Sequence, residues 1–206
     1  MVASTEGKAT AEADDRVLEI VRTFAAPRAL VFRMWSEPEH IVRWHGPEGF
    51  WLTHCEQDFR IGGAWRRCMS NGPGHEHWIS GVFREIREPE RLSFTYINDY
   101  DGHEMLVEMD FLDRGHETEM HFRQSQFANV AERDGHGWGW NSGFDLLAAY
   151  LLRLNPADLR PVGAPRIDGV AADIIAARER QEAEKRAAAD GRRSATEPAA
   201  PDGKPA

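Results

Sequence analysis

The sequence predicts an α+β fold in which one antiparallel sheet buries its apolar face under a single long helix. Three observations carry this reading. Between Leu52 and Gln126 short apolar segments alternate with tight turns rich in Gly, Pro, Asn and Asp, the mark of an antiparallel meander. From His136 to Leu151 aromatic and aliphatic residues fall instead at helical spacing. All seven tryptophans lie between Trp35 and Trp140, whereas Ala171 to Ala206 holds twelve alanines and no aromatic residue, which places a domain boundary between them.

The elements follow in order. Val17 to Phe24 alternates loosely, carries β-branched residues and reads as a strand. Pro27 opens a helix to about Trp35, with Leu30, Val31 and Met34 at helical spacing. A second short helix carries Ile41, Val42 and Trp44; Ser36 and Glu39 form its capping box, and Gly46-Pro47 stops it. Leu52 to Ile61 is expected to turn at Gly62-Gly63 into Trp65 to Ser70, and Asn71 to Gly74 leads into Trp78 to Glu85. Glu88-Pro89-Glu90 turns into Leu92 to Ile97, Asp101-Gly102 into Met105 to Phe111, and Asp113 to Gly115 into Thr118 to Gln126. The last element is a long helix with Trp140, Phe144, Leu147 and Leu151 on one face and His136 one turn before Trp140. A single sheet of six or so strands must bury its apolar face under that helix.

This domain spans 16–154. Around it the sequence predicts a disordered leader at 1–15, a proline-bearing linker at 155–166, an amphipathic helix at 167–189 and a disordered tail at 190–206. The stripe Ile167, Val170, Ile174 and Ile175 on the amphipathic helix would dock on the same domain or build a homodimer.

Composition excludes several function classes. With 25 Lys plus Arg against 34 Asp plus Glu, the net charge of −9 argues against binding nucleic acid or anionic lipid, since both rest on clustered cations. No run of about 18 apolar residues exists to span a membrane, and the leader has no apolar stretch that would make it a secretory signal. Cys55 and Cys68 form neither a disulfide framework nor a C-x-x-C pair. A soluble, reduced, cytoplasmic protein is expected.

Five motifs in order then become recognisable: Arg22-Thr-Phe-Ala-Ala-Pro27, Arg43-Trp-His-Gly-Pro-Glu-Gly-Phe50, Asp58-Phe-Arg-Ile-Gly-Gly-Ala-Trp-Arg66, Glu88-Pro-Glu-Arg-Leu-Ser-Phe-Thr95, and Asp134-Gly-His136 followed by Gly139-Trp140. They resemble the activator-of-heat-shock-protein-90-ATPase-homologue-like family of the START/SRPBCC superfamily, in its small, single-domain prokaryote-type form. The resemblance implies the helix-grip fold, a curved sheet of six to seven strands wrapped on the C-terminal helix, often with a hydrophobic cavity between them. Superfamily members bind lipids, sterols, polyketides or hormones, a few are cyclases, aromatases or hydrolases, and the eukaryotic namesake binds a chaperone. The sequence departs from the family pattern at His45, where a second tryptophan is usual, at Arg67, where an aromatic residue is usual, and at Gln57; Trp138 is an added tryptophan.

Alternation places Leu92, Phe94 and Tyr96 on one face, Met105, Val107, Met109 and Phe111 on another, and Met120, Phe122 and Gln124 on a third, with the aromatic face of the long helix opposite. The candidate cavity residues are Trp44, His45, Gln57, Trp65, Arg67, Phe94, Tyr96, Met109, Phe122, Gln124, His136, Trp140, Phe144 and Leu147. The competing reading is that these side chains simply fill a core. Arg67 is the sharpest polar candidate, because a buried guanidinium favours an acid as partner, either a ligand carboxylate or a protein side chain. Its face depends on register. A plain two-residue turn at Gly62-Gly63 pairs Gln57 with Cys68, putting Cys68 on the Gln57 face, while a bulge puts Arg67 there instead.

Other chemistry finds little footing. His75-Glu76-His77 lies beside a glycine-rich turn and is expected in a surface loop, with no further metal ligand fixed by spacing. There is no nucleophile elbow, phosphate loop or dinucleotide fingerprint. Of the two thiols Cys68, next to Arg67, is the better candidate for reactivity, against the competing reading of a buried inert cysteine. Asp58 with Arg60, and Glu85 with Arg91, read as structural ion pairs. The expectation is a domain that binds a hydrophobic or amphipathic small molecule, lipid or polyketide-like, with no cofactor, metal or catalytic residue assigned. The alternatives are a cyclase-, aromatase- or hydrolase-type enzyme using the same cavity and a chaperone or protein-interaction module.

Overall fold

β1 (Val17–Phe24) forms one edge of a seven-stranded sheet, and two short helices, α1 (Arg28–Ser36) and α2 (Pro38–Trp44), separate it from the rest. The meander β2 (Trp51–Gln57), β3 (Ala64–Ser70), β4 (Glu76–Arg87), β5 (Arg91–Asn98), β6 (Glu104–Asp113) and β7 (Thr118–Ser125) follows, and α3 (Val130–Leu151) comes last. The spatial order is β1-β7-β6-β5-β4-β3-β2, antiparallel throughout. The computed structural model describes residues 15–154 and four further helical positions, Ala176, Arg180, Ala183 and Ala187. The predicted leader, linker, amphipathic helix and tail otherwise lie outside the described residues.

The architecture is the predicted α+β helix grip. The inner faces of β5, β6 and β7 present Leu92, Phe94, Tyr96, Met105, Val107, Met109, Phe111, Met120, Phe122 and Gln124, all buried, to the α3 face of Trp140, Phe144, Leu147 and Leu151. Trp35 of α1 stands at the centre, its ring 4.7 Å from Trp44, 5.9 Å from Trp140 and 6.2 Å from Phe144 between centroids. Much of the aromatic surplus is thus one cluster, and tilted or edge-on pairs of this kind add to the hydrophobic gain. Asn129 starts α3 by accepting the Glu132 N–H at 2.9 Å through its side chain.

Three local expectations are corrected. Ser36 does not cap α2: it is the buried last residue of α1, and Glu37 stands at the cap position without a side-chain capping bond. Pro38, with its preset φ, starts the helix instead, while the Glu37 carboxylate is taken by Arg33 at 2.9 Å. β2 stops at Gln57 rather than running to Ile61, because residues 58–63 form a compact connection tied by Asp58 N–H to Ala64 O and Gly63 N–H to Arg60 O, both 2.8 Å. A Cβ at Gly63 would stand 2.0 Å from the Asp58 carbonyl oxygen, so this connection requires glycine there. β4 starts at Glu76, two residues earlier than expected, which makes His77 a strand residue paired with Met69 and not a loop residue.

The β2–β3 register settles which face Arg67 takes. Gln57 pairs with Trp65 and Cys55 with Arg67, so Gln57, Cys55, Trp65 and Arg67 share the inner face and Cys68 lies on the other. The expected ion pairs form, Arg60 with Asp58 at 2.7 Å and Arg91 with Glu85 at 2.8 Å.

Candidate functional site

A cavity of about 300 Å³ lies between the first half of α3, the loop after α2 and strands β3 to β5. Met69, His77 and Tyr96 form its sheet wall, His45, Gly46, Pro47 and Phe50 its loop wall, and Gly135, His136, Trp138, Gly139, Trp140 and Gly143 its helix wall. Trp138 is 62% exposed and marks the side where the cavity meets solvent.

Local sequence explains the space. Gly135, Gly139 and Gly143 recur every four residues, so they share one face of α3 and leave it without side chains. A Cβ at Gly135 or Gly139 would meet nothing within 4 Å. At Gly143 the backbone of the α2–β2 loop approaches instead, a Cβ there coming within 3.3 Å of the Gly46 oxygen. That loop turns through Gly46 at φ +110°, and the Glu48 N–H donates to Ser142 Oγ at 2.7 Å, so the loop is fastened to α3.

Of the fourteen predicted residues, His45, Tyr96, His136 and Trp140 line the cavity. Gln124 stands directly behind: its Oε1 accepts the Trp140 indole N–H at 2.7 Å and a hydrogen bond from His136 Nδ1 at 3.1 Å. Buried Arg67 and half-buried Gln57 do not line the cavity, with Arg67 Nη2 donating to Gln57 Oε1 at 3.1 Å and Gln57 Nε2 to the Ser36 carbonyl at 2.7 Å. Trp44, Trp65, Phe94, Met109, Phe122, Phe144 and Leu147 belong to the packed core. Sequence reasoning had not placed His77, Phe50, Met69 or Trp138 in the wall. The Gly135-x-x-x-Gly139-x-x-x-Gly143 spacing was the readable signal for the missing volume.

The polar groups of the cavity are kept neutral. Burial, and then the charge of Arg67, push the His45 imidazole well below its ordinary value, and both ring nitrogens are buried with no hydrogen-bond partner. Burial lowers His136 to about 4 and also lowers His77, against a raising interaction with Asn98. The Tyr96 hydroxyl is raised by burial, which Arg67 partly opposes. The cavity therefore offers neutral donors and acceptors within an aromatic and glycine-lined wall. Among the described residues no three His, Cys, Asp or Glu side chains gather as a metal site. No helix among them is long and apolar enough to cross a membrane.

A family model described as Activator of Hsp90 ATPase homolog 1-like protein matches residues 25–152. Among solved structures, the AHSA1 protein from Silicibacter pomeroyi is 27% identical, with a TM-score of 0.60 over 66% of this chain and 97% of that one. A protein from Chromobacterium violaceum (23% identity, TM-score 0.60, 66% and 96% covered) shares the fold. So does one from Rhodobacter sphaeroides (22%, 0.61, 68% and 95%). A search of curated proteins gave no match. The order of strands, the gripping helix and the family match over residues 25–152 agree: the chain belongs to the activator-of-Hsp90-ATPase-homologue-like family of the START/SRPBCC superfamily.

Proposed function

We propose that the domain binds a compact, amphipathic, ring-bearing small molecule in the cavity beneath α3. The observation that carries this reading is His45, a buried imidazole at the cavity wall with neither nitrogen satisfied, facing a helix stripped of side chains at Gly135 and Gly139. Buried polar atoms are normally paired, and glycine inside a helix costs about 1 kcal/mol relative to alanine. The first feature disfavours the empty domain and the second leaves open space beside it, so a ligand with a polar end and an apolar body relieves the one and fills the other. At about 300 Å³ the cavity is at the small end for organic ligands, so a ring system suits it better than a long acyl chain or a sterol. Trp140, Tyr96 and Phe50 offer the flat faces such rings pack against.

General-base chemistry in the same cavity is the second reading, favoured by one observation: His136 lines the space as a neutral imidazole with one nitrogen already committed to Gln124.

The test is a screen of compact aromatic compounds against the wild-type domain and a Gly139→Leu variant, read by thermal unfolding and tryptophan fluorescence. The leucine side chain fills the cavity from the helix side. Compounds are expected to raise the unfolding temperature of the wild type and not of the variant. No shift with any compound, or equal shifts in both proteins, would overturn the proposal.

A further inference from the structure

We infer that the ligand of this cavity is a compact aromatic acid, its carboxylate lodged against His45 and Tyr96 in the field of the buried Arg67 guanidinium. This rests on the ligand-binding reading above and names the chemistry of its polar end.

The inference starts from a charge imbalance. Two arginines are buried in the described domain, Arg33 and Arg67, at 5% and 2% exposure. Arg33 is neutralised by a two-point bond to Glu37, at 2.9 and 3.0 Å. Arg67 makes no ion pair within 4.0 Å among the described residues; its partners are the Gln57 amide oxygen at 3.1 Å, the Cys55 thiol and the Trp65 ring, 4.8 Å from Cζ to centroid. Its Nε is buried without a hydrogen-bond partner. A neutral oxygen, a thiol and a ring face offset only part of the cost of burying a cation.

The missing negative charge has a place to go. The Arg67 charge is felt at Cys55, His45 and Tyr96, and the last two are cavity-wall residues. Neutral His45 brings one unused N–H, and the Tyr96 hydroxyl can donate a second hydrogen bond, so a carboxylate there gains two donors as well as the cation behind them. The carboxylate meets the Arg67 charge through these two side chains and need not touch the guanidinium. The apolar body of the ligand then lies along Trp140, Phe50 and the open face at Gly139. A neutral ligand of equal shape keeps the apolar contacts and forgoes the electrostatic gain.

The experiment compares naphthoate with its neutral isostere naphthamide, each titrated against the wild-type protein at neutral pH by tryptophan fluorescence. Naphthoate is expected to bind at least about tenfold more tightly, a difference of about 1.4 kcal/mol. Arg67→Met is expected to lower naphthoate affinity to that of naphthamide while leaving naphthamide affinity unchanged. Should that variant not fold, His45→Phe, which removes the donor at the cavity wall and keeps an aromatic ring, carries the same expectation of a reduced preference. Equal binding of the two compounds by the wild type, or a preference that survives in a folded Arg67→Met protein, overturns the inference and leaves the cavity reading standing. Binding of neither compound by the wild type, with no response to any other aromatic compound, overturns both.

Discussion

Trp140 fixes the tautomer of His136. An indole N–H can only donate, so the atom of Gln124 that it meets at 2.7 Å is the amide oxygen. His136 Nδ1 lies 3.1 Å from that same oxygen and must therefore carry the proton. The lone pair of the neutral ring is left on Nε2. The first prediction follows from this and from burial, which lowers His136 to about 4. The folded pKa is below the ordinary value of 6.5, so the unfolded chain binds the extra proton first and stability is greatest above pH 6.5. It is lost as the pH falls from there through about 4. The loss at this residue is on the order of 2 kcal/mol, allowing for its partial exposure. Nitrogen-detected NMR should show an Nδ1-protonated ring that does not titrate between pH 5.5 and 8. An Nε2-protonated ring, or a midpoint near 6.5, would refute the assignment.

Glycines of the same chain should respond oppositely to one methyl group. Gly139→Ala places a Cβ where nothing stands within 4 Å and raises helix propensity, so it should stabilise the domain by about 0.5–1 kcal/mol. Gly81→Ala puts its Cβ 1.8 Å from the Thr95 carbonyl oxygen, across the β4–β5 pair, and should cost more than about 2 kcal/mol. Urea unfolding of the two variants measures the contrast. A destabilised Gly139→Ala would mean that the α3 face is not the open wall described.

Neither thiol should react in the folded protein. Burial raises Cys55, more than the neighbouring Arg67 lowers it, and burial raises Cys68 as well. A thiol reagent added to native protein should modify neither cysteine on the timescale of a free thiol, and both once urea has unfolded the chain. Rapid labelling of one equivalent in the native state would show that a thiolate is accessible.

The strands and the gripping helix were legible because their signals are periodic and local. The apolar alternation of Met105 to Phe111 and the helical spacing from Trp140 to Leu151 both survive in the structure as buried faces. What periodicity could not resolve is register and volume. Whether Arg67 shares a face with Gln57 depended on the path of residues 58–63, which closes through backbone hydrogen bonds and a glycine close approach that no alternation encodes. The cavity was harder still, since Gly135 and Gly139 act through side chains they lack, and no hydrophobic pattern marks a missing side chain. His77 escaped because Glu76 begins a strand beside a turn whose composition suggests a loop. Four predicted residues nevertheless meet around one cavity, and Gln124 and Arg67 stand behind them.

The last prediction concerns the ion pair that joins the short helices. Arg33 holds Glu37 through Nε at 2.9 Å and Nη2 at 3.0 Å, His40 Nε2 approaches the same carboxylate at 3.3 Å, and His40 Nδ1 lies 2.9 Å from the Tyr150 hydroxyl on α3. Burial alone would raise the Glu37 carboxyl, but the hydrogen bonds from His40 and Arg33 outweigh it and bring it down to about 2. Its folded pKa is below its ordinary value of 4.5, so the stability it contributes is present above pH 4.5 and is lost as the pH falls through about 2. Glu37→Gln should flatten that acid limb. It should also destabilise the domain by roughly 3–5 kcal/mol, because Arg33 is left buried without a counter-charge. The double variant Arg33→Met/Glu37→Leu removes both charges together and should cost much less than the single one, since a buried apolar pair leaves no charge unpaired. Urea unfolding across an acid pH series measures all three proteins. A Glu37→Gln protein with wild-type stability and an unchanged acid limb would show that the α1–α2 junction does not depend on this pair.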